Sequence, residues 1–225
     1  MNDKQLVALQ AAKYVKSGML VGLGTGSTAN YFIEELARRQ RSDGLKISTV
    51  ASSYVSEEYA KSLYLPTVTF DSIHSVDLYV DGADEITPEM TLLKGRGSDL
   101  VKEKLLAKAA TQFIVVADSS KLVNHIGQNF SIPIEVIPFA WQLAKKSLEA
   151  LGGVGHLRPN EAKDDFWMTS HGSYVLDMKF DKNLTASDLN TMLNNVPGVV
   201  EHGIFLNLAD ATLIAENGAV IEHWI

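Results

Sequence analysis

The chain has 225 residues, 27 acidic and 20 basic, a formal net charge of −7, 46% apolar residues and no cysteine. This is the composition of a folded globular protein and not of a disordered one. It excludes disulfides, thiolate nucleophiles and cysteine–zinc sites, and the acidic balance argues against general nucleic-acid binding, which needs a basic footprint.

The opening residues lack a basic start followed by an apolar core, so no secretory signal is expected. No apolar run approaches the ~18 residues of a membrane span. A reducing cytoplasm is the expected compartment. Leu6, Leu9, Ala12, Tyr14 and Val15 recur at helical spacing, and Gly18 closes that helix. A buried strand is expected over 19–23, then glycines, then a helix over 27–38. A strand over 46–51, a helix over 55–63 and a strand over 76–80 ending in Asp81 follow. The pattern continues with a helix over 99–110, starting near Ser98, and a strand over 113–117 ending in Asp118. Short buried strands alternating with helices predict a Rossmann-like, mostly parallel sheet flanked by helices.

Beyond residue 130 the pattern changes. An extended run over 132–138 has prolines near both ends, and a helix over 139–151 stops at Gly152-Gly153. Segments 165–169 and 174–180 read as a hairpin turning at His171-Gly172. A helix over 186–193 and a strand over 199–206 complete a strand–helix–strand–strand–helix–strand order, the ferredoxin-like signature. Two strands around Glu216-Asn-Gly218 form a hairpin that can return to the first sheet. The expected organisation is a catalytic parallel-sheet domain of residues 1–130 plus 206–225, with a smaller α+β domain, 131–205, inserted.

Four segments carry candidate chemistry. Gly22-Leu-Gly-Thr-Gly-Ser-Thr28 leaves a strand and opens a helix. Its amides and the hydroxyls of Thr25, Ser27 and Thr28 suit a phosphate, or form a tight turn capped by Ser27. Asp81-Gly-Ala-Asp84-Glu85 follows a strand, where open parallel sheets bind ligands. Its acids suit proton transfer or a metal, or are solvated residues of a turn. Lys94-Gly-Arg-Gly97 presents a lysine to a developing oxyanion, or is a flexible basic loop. Asp118-Ser-Ser-Lys121 offers a cation to a phosphate, or is a serine-rich turn. In the helix over 99–110, Leu100, Val101, Leu105 and Ala109 mark the buried side. Glu103 points away from it, as a surface glutamate or as a base whose proton affinity is raised by Asp99 one turn earlier. The six histidines have no metal-ligand spacing, and there is no Gly-x-Ser-x-Gly elbow.

Taken together, these runs resemble the type A ribose-5-phosphate isomerase family. The matching runs are Gly22–Thr28, Asp81-Gly-Ala-Asp-Glu-Ile86, Lys94-Gly-x-Gly97 with Glu103-Lys104, Ala117-Asp-Ser-Ser-Lys121, Pro133-Ile-Glu-Val-Ile-Pro138 and Pro197-Gly-Val-Val200, in family order along nearly the whole chain. The resemblance implies cofactor-free and metal-free interconversion of D-ribose 5-phosphate and D-ribulose 5-phosphate in the pentose phosphate pathway. It implies Glu103 as the base, Asp81 and Asp84 for hydroxyl protons and ring opening, and Lys94 for the enediolate oxygen. Thr25, Gly26, Ser27, Thr28 and Lys121 would hold substrate and its phosphate. Gly82, Ala83, Gly95, Arg96 and Gly97 would line the substrate, and Lys4 is a further candidate phosphate lysine. The implied partner is a small sugar phosphate, with no nucleic acid or membrane, on a homodimer or a dimer of dimers. A non-catalytic sugar-phosphate sensor and an amino-sugar phosphate deaminase are the competing readings. The chain departs from the family's usual Lys-Gly-Gly-Gly-Ala-Ala at Arg96, Ser98 and Asp99, and from its Asn-Gly turn at Ser170-His-Gly172.

Overall fold

Asn2 begins the first helix by capping it: its side chain accepts from the Gln5 amide at 2.8 Å and the Gln5 side chain accepts from the Asn2 amide at 3.2 Å. This reciprocal box satisfies two donors that a bare helix end leaves open. The computed structural model describes residues 2–97 and 99–225. In chain order the elements are α1 (Asp3–Ala12), β1 (Leu20–Leu23), α2 (Ser27–Ser42), β2 (Ser48–Ala51), α3 (Tyr54–Ser62), β3 (Val76–Asp81), β4 (Glu85–Ile86), β5 (Leu92–Leu93), α4 (Leu100–Ala109) and β6 (Ala110–Asp118). There follow β7 (Ile132–Val136), α5 (Trp141–Ala150), β8 (Val154–Leu157), β9 (Tyr174–Lys179), α6 (Ala186–Asn194), β10 (Val199–His202), β11 (Ile204–Phe205), β12 (Ala211–Glu216) and β13 (Ala219–Trp224). Among the described residues no helix is long and apolar enough to cross a membrane.

The chain divides into two units. The first comprises residues up to Ala83, Lys102–Lys121 and Leu208–Ile225. Its sheet has the order β13-β12-β6-β3-β1-β2, parallel throughout except for the hairpin strand β13. One face is covered by the apolar stripes of α1 and α2: Val7, Ala11, Phe32, Ile33 and Leu36 pack with Leu78 and Val80 of β3 and with Ile114 and Val116 of β6. Side chains alternate across a strand, so Tyr79 and Asp81 of β3 belong to the opposite face.

The second unit comprises Asp84–Val101 and Leu122–Asn207. It therefore contains all of 131–205 together with 84–101 and 122–130. Its larger sheet is antiparallel in the order β10-β7-β9-β8, with α5 and α6 supplying Ala144, Leu148, Leu189 and Leu193 to its core. This is the ferredoxin-like arrangement, but its second strand is β8 and not 165–169. Gly152 and Gly153 end α5, and the chain runs directly into β8. Residues 165–169 fold back along the same loop, bridged singly through Phe166 and Met168. The expected strand 199–206 is also divided. At Gly203 the chain leaves β10 for β11, which joins β5 and β4 in a separate three-stranded sheet.

The edge strand β13 is pinned to the end of the first helix. Tyr14 donates to Glu222 at 2.5 Å, Gln10 donates to the same carboxylate at 2.5 Å, and Trp224 donates to it at 2.9 Å. Donating to this carboxylate pushes the Tyr14 phenol up to about 12, because the bond to the Glu222 anion favours the protonated hydroxyl. A phenol whose folded pKa is raised contributes stability below its unfolded pKa and loses it as pH rises through the folded value. Tyr14→Phe is expected to lower unfolding stability at pH 7 by on the order of 0.5–1 kcal/mol, the low end because water screens the pair. In denaturant titrations the gap between wild type and variant should close as pH rises through about 12.

Candidate active site

In the first unit, β1 and β3 lie side by side with Leu23 opposite Val80. The chain then turns at Gly24, whose amide donates to the Val80 carbonyl at 2.9 Å. A Cβ at Gly24 would lie 2.1 Å from Asp81 Oδ1 and 2.6 Å from its Cα, so no other residue fits. Asp81 is 1% exposed. Its Oδ1 accepts from the amides of Thr25 (3.1 Å) and Gly82 (2.7 Å), and its Oδ2 from the Tyr79 hydroxyl. The Thr25 hydroxyl donates to Ser53 at 2.7 Å and lies 3.1 Å from those of Ser52 and Ser56. Ser56 in turn donates to the Gly24 carbonyl at 2.7 Å. Thr25 thus ties the loop after β1 to the start of α3.

Tyr79 is fully buried and stacked on Phe113, with ring centroids 4.8 Å apart. Burial, followed by the Asp81 and Glu103 carboxylates, pushes its phenol well above the usual value. The hydroxyl therefore stays neutral, bonded to Asp81 and within the field of the Glu103 carboxylate. Glu103 is only 5% exposed whereas Leu105 is 50% exposed, the reverse of the sequence expectation. Leu100, Leu106 and Ala107 are buried as well, so α4 is covered on more than one side and a single-stripe count misplaces its faces. Tyr79 passes as a core aromatic in the sequence; the signal available was its place two residues before Asp81, on the same strand face.

The N-cap of α2 is Gly26 and not Ser27, and no side chain caps this helix. Its first turn thus keeps amides suited to an anion. Lys4 donates to the Ser27 hydroxyl at 2.9 Å. At the end of β6, Asp118 is bonded to the Ser120 amide and hydroxyl. That hydroxyl is the chief cause holding its carboxyl below the usual range, with Lys121 and Lys4 acting in the same direction. Lys4, Ser27 and Lys121 are thereby gathered at the carboxyl ends of the strands, while Thr28 is half-buried in the first turn of α2.

In the second unit, β4 and β5 pair for two residues, Glu85 with Leu93 and Ile86 with Leu92. One further step in that register sets Asp84 opposite Lys94, and the Asp84 amide donates to the Leu93 carbonyl at 2.8 Å. Lys94 is 3% exposed; its amide donates to Gly203 at 2.9 Å, and its Nζ stands 5.7 Å from the Phe205 ring centroid. Arg158 donates to the carbonyls of Gly95 and Arg96 at 3.2 Å each, while it grips Asp177 in a two-pronged pair at 2.9 and 2.6 Å. The Arg96 amide donates to Asp84 at 3.4 Å, and its guanidinium lies over the Phe130 ring at 3.9 Å. Gly82 and Ala83 are half-buried and Gly97 is exposed; Ser98 lies outside the described residues.

Glu85 stands apart from its neighbours Asp81 and Asp84. It is fully buried and accepts from the amides of Gly127, Asn129 and Phe130 at 2.7, 2.6 and 3.0 Å. Its carboxylate organises the loop before β7 and is not part of an acidic cluster. Asp99 also has a different partner from the one its sequence position suggests: Ser170 donates to it at 2.7 Å. Beside it, His171 Nε2 lies 2.6 Å from the buried Glu135 carboxylate. Burial raises the Glu135 carboxyl, and the imidazole acts against that shift. Among the described residues no group of three or more His, Asp or Glu side chains is placed to hold a metal.

The family model for ribose 5-phosphate isomerase A (phosphoriboisomerase A) matches residues 48–218. The ribose-5-phosphate isomerase A of Thermosynechococcus vestitus is 44% identical over 214 residues, covering 95% of this chain and 91% of that protein. The solved ribose 5-phosphate isomerase A of Methanocaldococcus jannaschii superposes with a TM-score of 0.93 at 37% identity, covering 99% of this chain and 98% of that one. A D-ribose-5-phosphate isomerase solved in complex with phospho-erythronic acid superposes with a TM-score of 0.95 at 35% identity over the whole of both chains.

The close approach at Gly24 gives a direct test. Gly24→Ala must displace Asp81 or the β1 backbone, an overpacking cost of about 1–3 kcal/mol. Thermal unfolding should report that loss, and a variant as stable as wild type would contradict the crowding described.

Proposed function

The chain belongs to the ribose 5-phosphate isomerase A family, a family of isomerase enzymes, and on that basis we propose how its residues interconvert D-ribose 5-phosphate and D-ribulose 5-phosphate. Glu103 takes the proton from C2 of the open-chain aldose and returns it to C1, through an enediolate. The observation that carries this reading is the pair of buried carboxylates, Asp81 and Glu103, in the first unit, both acting electrostatically on the buried Tyr79 hydroxyl. A base shielded from water and charges near the reacting carbons are what a carbon acid requires.

The remaining roles follow the motif. Asp81 and Asp84 exchange hydroxyl protons and assist ring opening. Lys94 carries the oxygen on which negative charge develops. Thr25 to Thr28, with Lys121 and Lys4, hold the phosphate: the uncapped start of α2 and the cations around Ser27 and Asp118 support this. Gly82, Ala83, Gly95, Arg96 and Gly97 border the sugar. Phosphate binding then supplies remote binding energy that orients the reacting end. Phospho-erythronic acid, bound by one relative, joins a phosphate to a carboxylate, the anionic pattern of an enediolate phosphate. The family also implies a place in the pentose phosphate pathway, and we extend to this chain the family's cytoplasmic, homodimeric state.

Purified protein given ribose 5-phosphate and a chelator should form ribulose 5-phosphate, read by a coupled assay. Binding without turnover would point to a sensor, and ammonia release from glucosamine 6-phosphate to a deaminase. Glu103→Gln should lower kcat by about 10²–10⁴-fold or more with a small change in KM. Near-normal turnover in that variant removes Glu103 from the role. Solvent deuterium should enter the product, and its complete absence would argue for a hydride shift.

A further inference from the structure

We infer that Tyr79 is a positioning residue of this site, whose hydroxyl, at the end of a chain of hydrogen bonds that reaches Ser52, fixes the Asp81 carboxylate for the reaction. The inference rests on the isomerase reading above and adds a residue to it. The chain of contacts can be followed atom by atom. The Thr25 amide donates to Asp81 Oδ1 at 3.1 Å, and the Tyr79 hydroxyl donates to Asp81 Oδ2. The Thr25 hydroxyl in turn lies 3.1 Å from that of Ser52. Three loops or strand ends, after β1, after β2 and at the end of β3, are thus joined through one carboxylate.

Core packing alone does not call for a tyrosine here. The ring stacks on Phe113 and fills the space over Gly22, where a Cβ would lie 2.7 Å from Tyr79 Cδ2. Phenylalanine would make the same contacts. A buried hydroxyl adds a desolvation cost unless it is bonded, and the partner of this one, Asp81, lies at the carboxyl end of β3. Hydrogen bonds linked into such a network reinforce one another. The charged groups acting on the phenol are Asp81 from its own strand and Glu103 from α4, and both oppose its ionisation, as does its burial. It therefore remains a donor across the working pH range. A neutral donor holds Asp81 without adding a cation beside Glu103, whose task as a base a cation would weaken.

Tyr79→Phe tests this while preserving the ring contacts. Loss of one hydrogen bond to a charged group should lower kcat roughly 10- to 100-fold, with KM changed less than about threefold and the melting temperature lowered by several degrees. The acid limb of the kcat/KM profile should move to higher pH, because removing a donor from a carboxylate favours its protonated form. A purely structural role predicts the lowered melting temperature alone, with kcat and pH profile unchanged in the folded protein. A folded variant with wild-type kcat and pH profile overturns the inference. Should Tyr79→Phe fail to fold, Ser52→Ala is read in the same way. It should give a smaller loss in the same direction, and wild-type behaviour there overturns the inference as well. Wild-type protein with no isomerase activity would instead defeat the functional reading itself, and this inference with it.

Discussion

The backbone of Gly24 passes so close to Asp81 that no side chain can stand between them. Much of the first unit's site depends on that approach. It brings the Thr25 amide onto Asp81, and with it the Thr25 hydroxyl onto the serines that open α3. The same turn delivers the chain to Gly26 at the start of α2, so the amides proposed for phosphate and the carboxylate proposed for proton handling are placed by one short loop. A carboxylate this deeply buried costs several kcal/mol unless donors surround it. The two amides and the phenol offset that cost and also fix its direction.

The second unit uses main chain to hold its part. Lys94 is secured by its amide on Gly203, and the residues after it by their carbonyls on Arg158. Side chains at 95–97 therefore bear little of the load, which accounts for how a long arginine is accommodated at a position where the family usually has glycine. Arg96 turns its guanidinium onto Phe130, and Asp84 receives its amide. Glu85 performs a different task one residue away, gathering three amides of the loop before β7. Neighbouring carboxylates in one motif thus have different partners, with Glu85 serving the architecture of a loop and Asp81 and Asp84 left to the chemistry proposed above.

Much of this was legible in the sequence. Apolar runs separated by glycine turns marked the parallel strands, and the acids and lysines near their ends marked the residues proposed for the site. What escaped had physical reasons. β8 carries Gly155 and His156 and exposes Val154, so it lacks the alternating apolar signature of a strand, whereas Phe166 and Met168 imitate one while half-exposed. The ladder that sets Asp84 opposite Lys94 is two residues long, below any periodicity. The division at Gly203 changes the partner sheet without changing the apolar pattern. Glu103 was misplaced because α4 is buried on more sides than one amphipathic stripe allows.

The contact between Ser170 and Asp99 joins two of the places where the chain leaves its family's usual pattern. They are 71 residues apart in sequence, and each looks like an isolated substitution when read alone. Joined at 2.7 Å, with His171 against Glu135 beside them, they act as a single structural unit. An aspartate at 99 without a donor at 170 would leave an acid beside the buried Glu135, and a serine at 170 facing alanine would hold nothing. Lineages should therefore gain or lose the two together, and a graft of either loop into a relative would need its counterpart.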